Sequence, residues 1–341
     1  MTEPVVEQGR TGAATRRCFL SSLAGLPAAG LSGAGEAHGT MTNTPLTIYS
    51  PAPPTNPMHV LNQQLVRAAA DFPGLSSIKL LAMALPESVN SIAGMPATAR
   101  PTHLPIVTTV DFRLAREGAG PAWHNYWRAN GDLKFVATLY AVGFGVQAAN
   151  VDITEPGHLR GKRIGVPPRP SAVRLMTEAL LRDGWGVLDD VTLVDLSPPQ
   201  IAAALESGAI DATSWNLLTP SPAGFQPMLP DLWRSARGRY LAVSDDALDR
   251  INAANPFRLA TSKAFPGELP LLSFAQALAA WDDTDTSQIN ALLACMEARG
   301  GQYAGLPDDV AAMAQWPDLR STEVHPVALE FYTARGFKFH G

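Results

Sequence analysis

Two arginines and a serine in the middle of the chain have the types and spacing of an anion-binding turn. Arg169, Ser171 and Arg174 follow the short β-compatible segment KRIGV, whose core is apolar, and lie in or near a proline-rich turn, 167–170. Ser171 is a favoured helix N-cap, and apolar residues with helical spacing follow it. The first turn of a helix attracts carboxylates and other anions through its N–H groups and its dipole. We therefore predict an anion-binding turn here, with an ordinary strand-to-helix connection as the alternative.

Motifs for catalysis are missing from the sequence. Its seven histidines are well separated, and none forms an HxxxH or HExxH pair. The sequence has no GxSxG elbow, no P-loop and no GxGxxG after a predicted strand. The chain has two cysteines, Cys18 and Cys295, which excludes a disulfide framework and a cysteine-rich metal site. We therefore expect a binding protein without a cofactor or a metal, and not an enzyme.

The composition is that of an ordinary folded protein. The chain has 341 residues, of which 46% are hydrophobic and 17% are charged. This length suggests two domains. The net charge is −5 and no basic run compensates for it, which argues against nucleic acid as a partner.

Residues 1–40 are predicted to form an export signal. The segment TRRCFL carries paired arginines before Phe-Leu, as twin-arginine signals do, and an Ala/Gly/Leu stretch and small residues follow. That stretch is too short to span a bilayer. We expect a periplasmic protein that is soluble after export and loses Cys18 with the signal. The alternatives are a disordered leader with a chance Arg-Arg pair, or translation from Met41.

Strand-like and helix-like segments alternate along the rest of the chain. LTIYS is a predicted strand, and Asn56 is predicted to cap a helix with Pro57 at its first position. KRIGV, VTLVD and AIDATSW are strands separated by two helices, a pattern typical of a parallel sheet. Since ligands bind at the carboxyl ends of such strands, the segments 167–171, 197–200 and 213–216 should share one rim. Beyond Leu241 the pattern is more helical, as in SFAQALAAW and TSQINALLACMEARGG.

The order of these motifs resembles that of the TAXI-type solute-binding proteins of TRAP transporters. The resemblance is carried by LRGKRIGV, LESGAIDATSW and HPVALEFYTARG, with Gly336 where the last glycine of the family falls. It implies an α/β, two-lobed type II periplasmic-binding fold, in which each lobe is a mainly parallel sheet flanked by helices. Residues 41–143 and 245–341 would form lobe 1, and residues 144–244 would form the inserted lobe 2.

The two ligand loops depart from the family pattern. Where the family has glycine-rich loops, this chain has SPAPPTNPMH and PPRPSAV. Glycine lets backbone N–H groups approach a ligand, whereas proline removes donors and fixes φ. We therefore expect more of the ligand contacts to come from side chains.

These observations lead to one main hypothesis and two alternatives. We expect a monomeric, exported solute-binding protein that captures a small carboxylate-bearing solute between two lobes and delivers it to an integral membrane permease. The alternatives are the binding protein of an ABC importer for sulfonate- or nitrate-like anions, and an exported enzyme with the same fold. Arg169 is expected to pair with the anion and Ser171 to orient it. The candidate ligand contacts are Tyr49, Ser50, Thr55, Asn56, His59, Thr109, Asp111, Arg169, Ser171, Thr213 and Trp215.

Overall fold

Apolar and β-branched segments form one mixed sheet. The computed structural model describes residues 45–341, apart from 55, 76, 222–223, 228–238, 263–269 and 317. The predicted export signal and the alternative start at Met41 lie outside these residues, as does Thr55. The strands of the described part are β1 (Leu46–Ser50), β2 (Ile78–Ala82), β3 (His103–Thr108), β4 (Leu133–Ala148), β5 (Arg163–Val166), β6 (Thr192–Asp195), β7 (Ala212–Ser221), β8 (Gly224–Pro227), β9 (Arg239–Tyr240), β10 (Ala260–Ser262) and β11 (Leu271–Trp281).

The sheet has a parallel part at each end and two long antiparallel strands between them. Its order is β2-β1-β3-β11-β4-β7-β5-β6. We call β1–β3 the first parallel part, since β1 pairs in parallel with β2 and β3. We call β5–β7 the second parallel part, since β5 pairs in parallel with β6 and β7. β11 is antiparallel to β3 and β4, and β4 is antiparallel to β7.

Helices provide the crossover connections that parallel strands need. The helices of the described part are α1 (Pro57–Ala69), α2 (Glu87–Ala93), α3 (Thr109–Glu117), α4 (Ala172–Ala179), α5 (Pro198–Glu206), α6 (Asp245–Ala254), α7 (Thr286–Arg299), α8 (Val310–Ala314) and α9 (Pro326–Thr333). A π turn, Leu180–Gly184, continues α4. Short 3-10 turns occur at Arg100–Thr102, Pro156–Leu159, Leu188–Asp190, Gly300–Gln302 and Ser321–Glu323. The predicted α/β class with helices flanking the sheet is confirmed. The sheet is mixed, with parallel pairing at its two ends, and the lobe boundaries stay a prediction.

Local capping signals fix where several helices begin. The side chain of Asn56 accepts a hydrogen bond from the N–H of Met58 at 2.9 Å, and Pro57 occupies the first position of α1. Ser171 caps α4 by accepting from the N–H of Arg174, at 3.5 Å. Both starts were predicted from the sequence, because an N-cap depends only on neighbouring residues.

The core lies around the two long strands. β4 and β11 are buried along nearly their whole length, as expected for strands covered on both faces. Trp281, Phe135 and Phe144 are among the largest fully buried side chains. Within the described part of the chain, none of the helices combines the length and apolar character that crossing a membrane requires.

The helical interpretation of SFAQALAAW is wrong. These residues lie in β11, which pairs with β3 on one side and with β4 on the other. Alanine favours a helix locally, but burial on both faces and pairing on both edges favour a strand here. Thr109 and Asp111, two of the candidate ligand contacts, lie in the first turn of α3, directly after β3.

Candidate functional site

A cavity of about 550 Å³ lies where the strands of both parallel parts end. Residues that follow β1, β2, β5 and β6 line it, and so does Thr108, the last residue of β3. The segments 167–171, 197–200 and 213–216 all contribute to its wall, so the prediction that they share one rim is confirmed. The cavity therefore occupies the position at which ligands bind in parallel α/β sheets.

Four helices begin at the wall of this cavity. Their N-cap residues all line it, namely Asn56 of α1, Thr108 of α3, Ser171 of α4 and Ser197 of α5. Each helix carries roughly half a positive charge at its N-terminus, from the aligned peptide dipoles. The converging helix ends favour an anion in the cavity.

Prolines remove backbone donors at the N-termini of two of these helices, α1 and α5. Seven residues of the wall are prolines, namely Pro51, Pro53, Pro57, Pro167, Pro168, Pro170 and Pro199. α1 and α5 begin with proline, and in α1 the N–H groups of Met58 and His59 are hydrogen-bonded to Asn56. These two helices contribute mainly their dipoles, because a proline has no N–H.

Neither α3 nor α4 begins with a proline, but of these two helices only α4 has its first residues at the described wall. Ala172 and Val173, its first two residues, line the cavity, and neither is a proline. No residue within a helix can accept from the N–H groups of its first turn. The side chain of Ser171 accepts from the third N–H group, that of Arg174. α4 therefore has two backbone donors at the wall, as the sequence predicted for this turn.

Three buried polar side chains line the same cavity without a complete set of partners. The atoms Trp215 Nε1, Asn216 Oδ1 and Gln276 Oε1 make no hydrogen bond within the described part of the chain. Their residues are only 6%, 4% and 1% exposed. Buried polar atoms are nearly always hydrogen-bonded in folded proteins. These three atoms are therefore the strongest candidates for side-chain contacts to a solute.

No formal charge is found among the described residues of the cavity wall. Among the described lining residues there is no Asp, Glu, Lys, Arg or His. Apart from the prolines, the wall includes the apolar side chains of Met58, Leu85, Val173 and Phe274. Hydrogen-bond donors and helix ends, and not side-chain charges, therefore set the electrostatics of the described wall.

Arg169 lies outside the lining residues although its neighbours line the cavity. Its guanidinium donates to Glu178 at 2.7 Å and lies over the ring of Trp123, 4.6 Å from the ring centroid. Trp123 belongs to the segment between α3 and β4, so this contact joins that segment to the turn after β5. Glu178 also accepts from Arg174, at 2.7 Å. The expected pairing of Arg169 with an anion stays a prediction.

Most of the remaining sequence-predicted residues are hydrogen-bonded within the protein and do not line the cavity. Tyr49 Oη lies 3.0 Å from His103 Nδ1, and burial raises the pKa of Tyr49. Ser50 Oγ accepts from Asn62 Nδ2 at 3.0 Å, and His59 Nδ1 lies 3.2 Å from the carbonyl oxygen of Ala52. Thr213 Oγ1 donates to the carbonyl of Gly165 at 3.0 Å, and Thr109 Oγ1 accepts from the N–H of Ala275 at 3.3 Å. These side chains support the wall from behind.

Asp111 is the centre of a buried polar cluster behind the cavity. Its carboxylate accepts from Thr108 Oγ1, His124 Nε2 and Tyr126 Oη, each at 2.6 Å. Burial opposes ionisation of Asp111, but the charge of His124 and these hydrogen bonds outweigh it and lower the pKa of the carboxyl. Burial and the neighbouring Asp111 raise the pKa of Tyr126. The cluster fixes the segment after α3 against the helix that Thr108 caps.

The sequence analysis found part of this site. Asn56, Ser171 and Trp215 were predicted as contacts and line the cavity. Ser197 and Asn216 lie in segments that were predicted for the rim but were not among the candidate contacts, and Thr108 and Gln276 were missed. For Ser197 and Thr108 the sequence contains a signal, because each is a residue type that favours the N-cap of a helix and each caps one in the structure. Gln276 could not be found in this way, because its segment was interpreted as a helix.

Residues 129–220 match the family model described as NMT1/THI5 like. The matched segment includes β4–β7 and the parts of the wall at 167–173, 197–199 and 215–216. It covers less than half of the chain. No curated protein matches the sequence.

Several solved structures are similar to this chain. Rpa4515 of R. palustris, solved with adipate, is 18% identical with a TM-score of 0.49, covering 75% of this chain and 83% of that one. A TctC solute-binding protein from Polaromonas is 16% identical with a TM-score of 0.47, covering 85% and 96%. A putative periplasmic sulfonate-binding protein, SsuA of Methylobacillus flagellatus, is 14% identical with a TM-score of 0.44, covering 85% and 76%.

Proposed function

We propose that this protein is an exported solute-binding protein that captures a small carboxylate-bearing solute and delivers it to an integral membrane permease. The observation that carries the proposal is the cavity between the two parallel parts, at which four helix N-termini converge. The carboxylate binds at the N-terminus of α4, where Ala172 and Val173 donate their N–H groups. The fold is then that of a type II periplasmic-binding protein.

Solute capture depends on closure of two lobes. Residues 41–143 and 245–341 form one lobe, and residues 144–244 form the other. A solute that contacts both lobes favours the closed state, which the permease then recognises. The cavity wall supports this proposal because Asn56 and Thr108 come from the first parallel part, whereas Ser171 and Trp215 come from the second.

We propose the TAXI type of TRAP transporter as the system to which the protein belongs. The order of motifs from LRGKRIGV to HPVALEFYTARG supports this assignment. The predicted signal at residues 1–40 supports export to the periplasm through the twin-arginine route. An anion-binding subunit of an ABC importer is the alternative, and co-purification with TRAP or with ABC membrane subunits distinguishes the two.

A thermal-shift screen of the purified protein tests the proposal. The panel consists of monocarboxylates, dicarboxylates, keto acids, amino acids and sulfonates. A ligand at a hundred times its Kd stabilises the folded protein by about 2.7 kcal/mol, which is easily measured. If no anion of the panel raises the melting temperature, the proposed function is wrong.

The variant Ala172→Pro tests whether the bound anion lies at α4. Proline is tolerated at the first position of a helix, as α1 of this chain shows, and it removes only one donor. Losing a hydrogen bond to a charged group costs about 1.5–3 kcal/mol, so the anionic hit should bind at least about tenfold more weakly. The control is Thr286→Pro, at the first position of α7 and away from the cavity. Unchanged binding in Ala172→Pro would place the anion elsewhere.

A further inference from the structure

The cavity wall supplies donors for one anionic group. Two N–H groups come from Ala172 and Val173, and a third donor is Trp215 Nε1, which is buried and makes no hydrogen bond within the described residues. A carboxylate has two oxygens with about four acceptor positions, so one carboxylate can use all three donors.

Within the described wall, a second carboxylate would find no further buried donor that lacks a partner. The other two buried polar atoms that lack partners are Asn216 Oδ1 and Gln276 Oε1, and both are acceptors. They suit a neutral donor, such as a hydroxyl or an amide N–H, and repel a carboxylate. Among the described lining residues there is also no carboxylate to pair with an ammonium group.

The rest of the wall is suited to an apolar body. Seven prolines line the cavity together with the side chains of Met58, Leu85, Val173 and Phe274. An ionised group buried against such a surface without a partner is strongly destabilised. The charge pattern and the apolar surface therefore both favour a solute with one negative charge and an apolar body.

We infer that the solute is a monoanion with a mainly apolar body, an aliphatic or aromatic monocarboxylate, and that the cavity rejects dicarboxylates and amino acids. This inference rests on the proposed function and narrows its solute class. The carboxylate binds to the first turn of α4 and to Trp215, and the hydrocarbon body lies against the proline-rich wall. A hydroxyl or amide on that body donates to Asn216 or Gln276.

Matched ligand pairs test the inference by calorimetry on the purified protein. Hexanoate and adipate have six carbons each and differ by one carboxylate, whereas hexanamide keeps the chain without a charge. 3-Phenylpropanoate and phenylalanine differ by one ammonium group. We expect the monocarboxylate of each pair to bind at least about tenfold more tightly than its partner, and hexanoate to exceed hexanamide by a similar factor.

The outcomes separate this inference from the proposed function. If adipate or phenylalanine binds as tightly as its monocarboxylate partner, the inference is overturned and the solute-binding function stands. If neither monocarboxylate binds while a dicarboxylate or an amino acid does, the inference is likewise overturned and the solute-binding function stands. If no anion binds at all, the proposed function fails and the inference fails with it.

Two tryptophan variants test the side-chain donor. Trp215→Phe removes Nε1–H and keeps a large aromatic ring, so the better monocarboxylate should bind about tenfold more weakly. Trp281→Phe is the control, since Trp281 Nε1 is also buried and makes no hydrogen bond within the described residues, but Trp281 does not line the cavity. The control should bind with unchanged affinity. Equal effects of both substitutions would contradict the role of Trp215.

Discussion

Replacing Asp111 with alanine should cost far more stability than an average substitution. The carboxylate is fully buried and accepts three hydrogen bonds, from Thr108, His124 and Tyr126. Since His124 is also fully buried, the substitution leaves it and the Tyr126 hydroxyl without their acceptor. Removing one member of a buried charged pair costs about 3–5 kcal/mol, and we expect a loss in that range for Asp111→Ala.

The stability lost on replacing Asp111 should depend on pH, and the lowered pKa of its carboxyl determines the direction. The pKa of Asp111 is lowered in the folded protein, so its ionised form is favoured by folding. The stability that this carboxylate provides is therefore fully present above its unfolded pKa of about 3.9 and is lost as the pH falls through the lower folded pKa. The difference between the wild type and Asp111→Ala should decrease as the pH falls below about 4.

Urea denaturation followed by circular dichroism measures both effects. Unfolding free energies are compared for the wild type and Asp111→Ala at neutral pH and at several acidic pH values. Asp189→Ala is the matched control, because Asp189 is exposed and its loss should change stability by no more than about 0.5 kcal/mol. A loss below about 1 kcal/mol for Asp111→Ala, or a difference that grows on acidification, would refute the reasoning.

Three further predictions concern other positions. Glu323 is 1% exposed and ion-paired with three arginines, so Glu323→Gln should lower the unfolding free energy by about 3 kcal/mol in urea. Gly120 has φ +123°, and a Cβ at this position would lie 2.3 Å from the carbonyl oxygen of His124. Gly120→Ala should therefore lower the unfolding free energy by at least about 2 kcal/mol. Gly131→Ala is the control and should be nearly neutral, because a Cβ at Gly131 would have no atom within 4 Å. Arg169→Ala should leave the melting temperature of the unliganded protein nearly unchanged. The same substitution should weaken binding of an anionic solute at least about tenfold. An unaltered affinity would exclude pairing of Arg169 with the anion.

The sequence predicted those parts of the site that depend on neighbouring residues. Asn56 with Pro57, Ser171, and Ser197 with Gln200 are capping signals, and in the structure each lies at the start of a helix. The βαβαβ order then placed these helix starts at one edge of the sheet. Local signals of this kind survive folding because the tertiary structure does not need to create them.

Contacts between distant segments were not predictable in the same way. β11 looks like a helix by composition and becomes a strand because β3 and β4 pair with both of its edges. Gln276 was missed for this reason. Asp111 was predicted to contact the ligand, but its acceptor capacity is used by Thr108, His124 and Tyr126, of which the last two lie 13 and 15 residues away. A sequence shows that a polar group is present, whereas its partners depend on the fold.

The long central strands determine how the two ends of the sheet can move. β4 pairs with β11 through Leu133–Phe144 and with β7 through Gly143–Ala148, so one continuous strand belongs to both halves. The register shifts between Gly143 and Phe144, and on β11 between Gln276 and Ala277. Such irregularities let a strand bend locally. We therefore expect the proposed closure to bend the sheet at these irregularities, one of which adjoins Gln276 of the cavity wall.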